Sequence, residues 1–271
     1  MCDETTVLGE RPAGGAGEVA AFTAPQAGLS EAMVDVRTDD GTCEAFFVHP
    51  AGGRHPGVIF WPDAIGLRDA KKAMARRLAA SGYAVLAVNQ YYRNARLPLG
   101  IAFSDFGDAE KRARLMPLIR ALTSDALTRD ARAFAAFLDS QAAVDTGRGI
   151  GTQGYCMGGG QAFRTGAAVP ERVGAVASFH GGGLVTDAPD SPHRLFAMTN
   201  AAFLILPGRD DHAGQPEAVG LLREAAAAAG RPAEIEVYNA DHGWCVPDAP
   251  AYDAGEADRA WGRLLALYAG L

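Results

Sequence analysis

From residue 32 onward the chain alternates between short, continuously apolar runs and longer stretches with helical spacing. Met33, Val34 and Val36 precede Asp39-Asp40-Gly41, and Ala45, Phe46, Phe47 and Val48 follow. Two β-prone runs about an Asp-Gly pair predict a hairpin. Gly57-Val58-Ile59-Phe60-Trp61 reads as a buried strand ending at Pro62-Asp63, and a helix is expected over about 69–81, stopped by Gly82. A second apolar strand occupies 83–88. Residues 89–125 form a polar, irregular excursion with one helical stretch near 109–120. Apolar residues at 127, 131, 134, 135 and 138 predict a helix within 125–141.

The pattern then repeats. A strand is expected at 149–155 with a helix from Gly158, then strands at 173–179 and 202–206. An Ala-rich helix at about 216–229, a strand at 234–238 and a closing helix at about 254–268 complete the chain. Apolar strands alternating with helices predict an α/β fold with a mostly parallel, doubly wound sheet covered by helices on both faces. Ligands of such sheets sit at the carboxyl ends of the strands. Residues 1–30 carry Gly, Ala and Pro without a period and are expected to be a loosely ordered leader, and 31–271 one domain.

Composition narrows the class. The chain is 48% hydrophobic and 21% charged with a net charge of −7, values of a globular protein without the cationic footprint of a nucleic-acid or anionic-membrane binder. No apolar run is long enough for a membrane span, and the first residues lack a secretory pattern. Cys2, Cys43, Cys156 and Cys245 are widely spaced, which suggests free thiols in a reducing cytoplasm. No H-E-x-x-H motif or Cys/His cluster is present, so no metal is expected.

The strongest local signal is Gly154-Tyr155-Cys156-Met157-Gly158-Gly159-Gly160, between a predicted strand and a predicted helix. This is the G-x-S-x-G elbow with cysteine as the nucleophile. The sharp turn lifts the sulfur above the sheet at a helix N-terminus, whose partial charge favours thiolate. The competing readings are a buried structural cysteine and a phosphate-binding glycine loop. The second lacks the spacing of either phosphate motif.

A thiol nucleophile needs a histidine base, which needs an orienting acid. Of six histidines, His49, His55 and His193 lie away from the reactive sheet end, His180 follows a strand and borders it, and His212 follows two aspartates. His242 follows the last strand, where the base belongs. The loop after 202–206 offers Asp210 or Asp211, of which Asp211 is favoured. The order Cys156, Asp211, His242 is nucleophile, acid, base.

Together these residues resemble the dienelactone hydrolase (carboxymethylenebutenolidase) family, from about residue 32 to the C-terminus. The resemblance rests on Gly-x-Cys-x-Gly-Gly at 154–159, the Asp211-His212 pair and His242-Gly243-Trp244. It implies an α/β-hydrolase fold of about eight strands and no cofactor. It also implies an acidic residue, Asp63, that contacts the resting thiol, and an oxyanion hole from the backbone N–H groups of Ala64 and Met157. Arg93 is expected to bind a substrate carboxylate. The second family arginine falls on Val246, so Tyr91, Tyr92 and Trp244 are expected at a more apolar rim.

The resulting expectation is a cysteine hydrolase of a small-molecule ester or lactone, monomeric or homodimeric. A general carboxylesterase or thioesterase with the same triad is the alternative within enzymes. A thiol-based redox or ligand sensor is the alternative outside them.

Overall fold

In the computed structural model, residues 26–271 are described, and the leader expected at 1–30 lies outside them up to residue 25. Leu29 and Ser30, its last residues, already pair with Pro50 and His49. The first hairpin is longer than the apolar runs suggest: β1 (Leu29–Thr38) and β2 (Gly41–Pro50) pair antiparallel along ten residues each.

β3 (Gly57–Trp61), α1 (Asp69–Ala80) and β4 (Ala84–Val88) follow. The excursion contains a 3₁₀ turn (Phe103–Gly107) and α2 (Ala109–Arg120), and α3 (Ser124–Asp139) comes next. The second half runs β5 (Ile150–Tyr155), α4 (Met157–Ala168), β6 (Val173–Phe179), a 3₁₀ turn (Pro192–Met198) and β7 (Ala202–Leu206). A short α5 (Arg209–Gly214), α6 (Ala218–Ala228), β8 (Ala233–Ile235) and α7 (Ala254–Tyr268) close it. Neither the 3₁₀ turn at 192–198 nor α5 was legible as a periodic segment. The strand expected over 234–238 is shorter, continuing only as an isolated bridge between Gly208 and Tyr238.

The eight strands form one sheet in the order β1-β2-β4-β3-β5-β6-β7-β8, antiparallel at β1/β2 and β2/β4 and parallel elsewhere. Continuously apolar strands are explained by burial on both faces. Ile59 and Trp61 of β3 pack with Phe134 of α3 and Phe163 of α4, whereas Val58 and Phe60 pack with Leu78 of α1 and Leu264 of α7. Because β3 to β8 run parallel, their carboxyl ends share one edge of the sheet, where the loops after β3, β5, β6, β7 and β8 meet, whereas antiparallel β2 ends at the other. No helix among the described residues is long and apolar enough to cross a membrane.

Candidate active site

Cys156 stands between β5 and α4 at φ 55° and ψ −125°, a backbone conformation that L-residues rarely adopt. Three glycines make the turn possible. A Cβ at Gly154 would lie 1.8 Å from the Gly158 carbonyl oxygen, one at Gly158 2.5 Å from the Pro62 oxygen, and one at Gly159 2.2 Å from Ser178 Oγ. These are overlaps with backbone or buried atoms, so the glycines are steric requirements of the elbow and of its contact with the end of β3. The Cys156 N–H is shared between the Phe179 carbonyl, at 3.1 Å, and Nδ1 of His180, at 3.2 Å.

His242 occupies the loop after β8 and its Nδ1–H donates to Asp211 Oδ1 at 2.7 Å. The other Asp211 oxygen accepts the Gly208 N–H at 2.9 Å, which fixes the carboxylate. Asp210, the alternative acid, faces backbone instead, accepting the N–H of His242 at 2.7 Å and of Asp211 at 2.9 Å. Both aspartates therefore hold His242, one by its ring and one by its main chain. With Nδ1 taken by Asp211, Nε2 is left for the cleft that His242 and Cys156 line together. Burial opposes charge on His242, but Asp211 and Cys156 outweigh it and raise its pKa to about 10.

His180 is buried with φ 40° and packs edge-on against His242, ring centroids 4.7 Å apart. Burial, with His242 and Lys71 nearby, holds its pKa well below the ordinary value, so it stays neutral. Because its Nδ1 accepts from Cys156, its proton is on Nε2. The sequence placed His180 at the border of the pocket but gave it no task.

The loop after β3 supplies the other half. Asp63 O accepts from Gly66 N at 2.9 Å and from Nε2 of buried Gln90 at 2.8 Å. In a planar trans peptide the C=O and N–H point in opposite directions. Two donors holding the Asp63 carbonyl therefore aim the Ala64 N–H the other way. No acceptor among the described residues takes that N–H. The Met157 N–H is at the first position of α4, where no intrahelical partner exists. Ala64 and Met157 share one small cluster with Tyr91.

Several expectations are corrected here. Asp63 makes no hydrogen bond to Cys156: its Oδ1 accepts from Arg68 Nη1 at 2.8 Å and Ile65 N at 3.1 Å. Its Oδ2 takes Arg68 Nη2 at 3.0 Å and pairs with Lys71 Nζ at 2.8 Å. Despite burial, Lys71 and Arg68 hold its carboxyl well below the usual carboxylate range. A carboxylate so occupied clamps its own loop and has no lone pair directed to the thiol. Arg93 is not in the cleft either; it pairs with Asp40 and, through two parallel hydrogen bonds, with buried Asp130. Tyr92 donates to the same Asp130 at 2.7 Å.

Tyr91 is a strut rather than a rim residue. Its hydroxyl donates to the Ala64 carbonyl at 2.8 Å and lies 3.4 Å from Met157 Sδ. Trp244 is fully buried, stacked on Tyr238 with centroids 4.6 Å apart. Tyr91, Tyr92 and Arg93 turn inward to partners far off in sequence, whereas Trp244 stacks on its near neighbour Tyr238.

The cleft beside Cys156 has a volume of about 350 Å³ and is lined by Asp63, Ala64, Ile65, Phe103, His180, His242, Gly243, Ala249, Pro250 and Ala251. Sequence reasoning missed Gln90, Lys71, Phe103 and the 249–251 loop. Lys71 left a signal: it lies on the same helical stripe as Ala75 and Leu78 and is fully buried there. Its Nζ lies 4.3 Å above the Tyr155 ring, and burial lowers its pKa. No group of side chains among the described residues could hold a metal ion.

A model of the dienelactone hydrolase family matches residues 43–270. A candidate carboxymethylenebutenolidase of Methylorubrum extorquens is 29% identical over 247 residues, covering 88% of this chain and 80% of that one. A candidate dienelactone hydrolase from Klebsiella pneumoniae superposes with a TM-score of 0.77 at 23% identity, covering 90% of this chain and 99% of that one. A dienelactone hydrolase-like promiscuous phosphotriesterase from metagenomic libraries gives a TM-score of 0.69 at 26% identity, covering 89% and 98%.

Proposed function

Since this chain belongs to the dienelactone hydrolase family and is a hydrolase of the ester and lactone kind, we propose that Cys156 is its nucleophile and that turnover passes through an acyl-enzyme. The observation that carries the reading is the line from Asp211 through His242 to a cysteine held at positive φ on a strand-to-helix turn. A conformation this strained persists where the surroundings impose it, commonly at functional sites.

In the first step the Cys156 thiolate, paired with the His242 imidazolium, attacks the acyl carbon. A C–S bond forms and the carbonyl electron pair moves onto oxygen, toward the N–H groups of Ala64 and Met157. Collapse breaks the bond to the alcohol or enol oxygen, which takes the His242 proton. Neutral His242, its tautomer held by Asp211, then removes a proton from water as the water attacks the thioester. Release of the acid returns thiolate and imidazolium.

The test is burst and steady-state hydrolysis of p-nitrophenyl butyrate, with the acylated chain quenched in acid and its peptides read by mass spectrometry before and after hydroxylamine, which cleaves a thioester. Wild type should show one acyl group per chain on the peptide that contains Cys156, and Cys156→Ala should show neither acylation nor turnover. Turnover that survives the alanine substitution would remove Cys156 from the mechanism.

A further inference from the structure

We propose that the acyl group accepted beside Cys156 is neutral and apolar, so that the substrate is an uncharged ester or lactone rather than one bearing a carboxylate. This rests on the Cys156 hydrolase reading and names the chemical class of its substrate.

A carboxylate that leaves water for a cleft of this size needs a cation or several free donors to replace its hydration. The neighbouring cations are already taken. Arg68 uses all five of its N–H groups: Nε and one Nη2 proton on Asp248, one proton each of Nη1 and Nη2 on Asp63, and the second Nη1 proton on the Gly66 carbonyl. Its guanidinium lies 5.1 Å from the ring centroid of Phe103, a cleft residue, yet presents no unused donor. Lys71 is fully buried and pairs with Asp63. Arg93 is committed to Asp40 and Asp130.

The charges beside the cleft therefore close on themselves: Arg68 and Lys71 against Asp63 and Asp248. The charged side chains that line it are Asp63, which repels an anion, and His242, whose Nδ1–H is spent on Asp211 and whose Nε2–H is the proton that the Cys156 reading itself requires. A substrate carboxylate could reach Arg68 only by displacing Asp63, which would leave a buried aspartate short of partners beside a second anion. The remaining wall, Ile65, Phe103, Ala249, Pro250 and Ala251, is apolar and suits an alkyl or aryl acyl chain.

Three p-nitrophenyl esters with a five-carbon acyl chain test this: the pentanoate, the glutarate monoester and the methyl-capped glutarate. Each is assayed in wild type with Cys156→Ala subtracted. The free carboxylate should lower kcat/KM on the order of a hundredfold below both neutral esters. A glutarate monoester that matches or exceeds the pentanoate overturns the proposal. So does a methyl-capped ester as poor as the anion, because size and polarity would then be what the cleft rejects. Absence of Cys156-dependent turnover with all three overturns the hydrolase reading and this inference with it, a result distinct from a preference for the anion.

Discussion

Gln90 emerges from the structure as a positioning residue for the oxyanion site. It sits just past β4, buried, and its Nε2 donates to the Asp63 carbonyl at 2.8 Å, on the peptide that carries the Ala64 N–H. Replacing it by leucine keeps the volume and removes the donor. A neutral hydrogen bond contributes about 0.5–1.5 kcal/mol net, so Gln90→Leu should lower kcat by roughly three- to tenfold. The effect should stay below the roughly hundredfold or greater cost of deleting an oxyanion donor outright. Gly66 N still holds the same carbonyl at 2.9 Å, which is why. Gln90→Glu places a carboxylate against a carbonyl oxygen and should cost more, with partial recovery as the pH is lowered. The assay is kcat and KM on a neutral p-nitrophenyl ester, alongside binding of a trifluoromethyl ketone, whose thiol adduct carries the oxyanion. Inhibitor affinity should fall in step with kcat/KM while KM stays within about twofold. Unchanged kcat and inhibitor affinity, with only the melting temperature lowered, would show that Gln90 merely fills space.

Three more expectations concern the elbow and its charges. Cys156→Gly should abolish turnover yet stabilise the fold by about 1 kcal/mol, because glycine adopts φ 55° without the Cβ strain, offset in part by its greater unfolded-state freedom; a loss of stability in urea unfolding would contradict the strain assigned to the turn. Asp63→Asn should destabilise by about 3–5 kcal/mol, since Lys71 would be left buried without its carboxylate, whereas Lys71→Met should cost far less because Arg68 still pairs with Asp63; equal losses in chemical denaturation would refute that reasoning. The His242 pKa is raised in the fold to about 10, so its contribution to stability is fully present below pH 6.5 and is lost as the pH rises through about 10. The melting-temperature advantage of wild type over His242→Gln should accordingly shrink between pH 7 and pH 10, and an advantage that grows over that interval would reverse the sign argued here.

Much of the site was legible because its signals are local. Glycines at 154, 158 and 159 mark a turn that no side chain fits, and the order of Cys156, Asp211 and His242 follows the order of the strands that carry them. The substrate-binding expectations failed for a shared reason. Arg93, Tyr91, Tyr92 and Trp244 were placed by their offset from a strand end, and an offset does not say which way a side chain turns. Arg93 turns to Asp130, 37 positions on, and Tyr91 to Ala64, 27 positions back.

By itself the sequence determined the alternation of strands and helices and the glycine-flanked elbow between β5 and α4, since each depends on backbone sterics or on a period of two or 3.6. Only the tertiary structure decided which of Asp210 and Asp211 meets the imidazole ring, and that Asp63 clamps its loop through Arg68 and Lys71 instead of touching the thiol. It also decided that Arg68 spends its donors on Asp248, 180 positions away. Ion pairs and buried hydrogen bonds are chosen by what the folded chain brings within about 3 Å and shields from water. That choice has no period and leaves no local pattern to read.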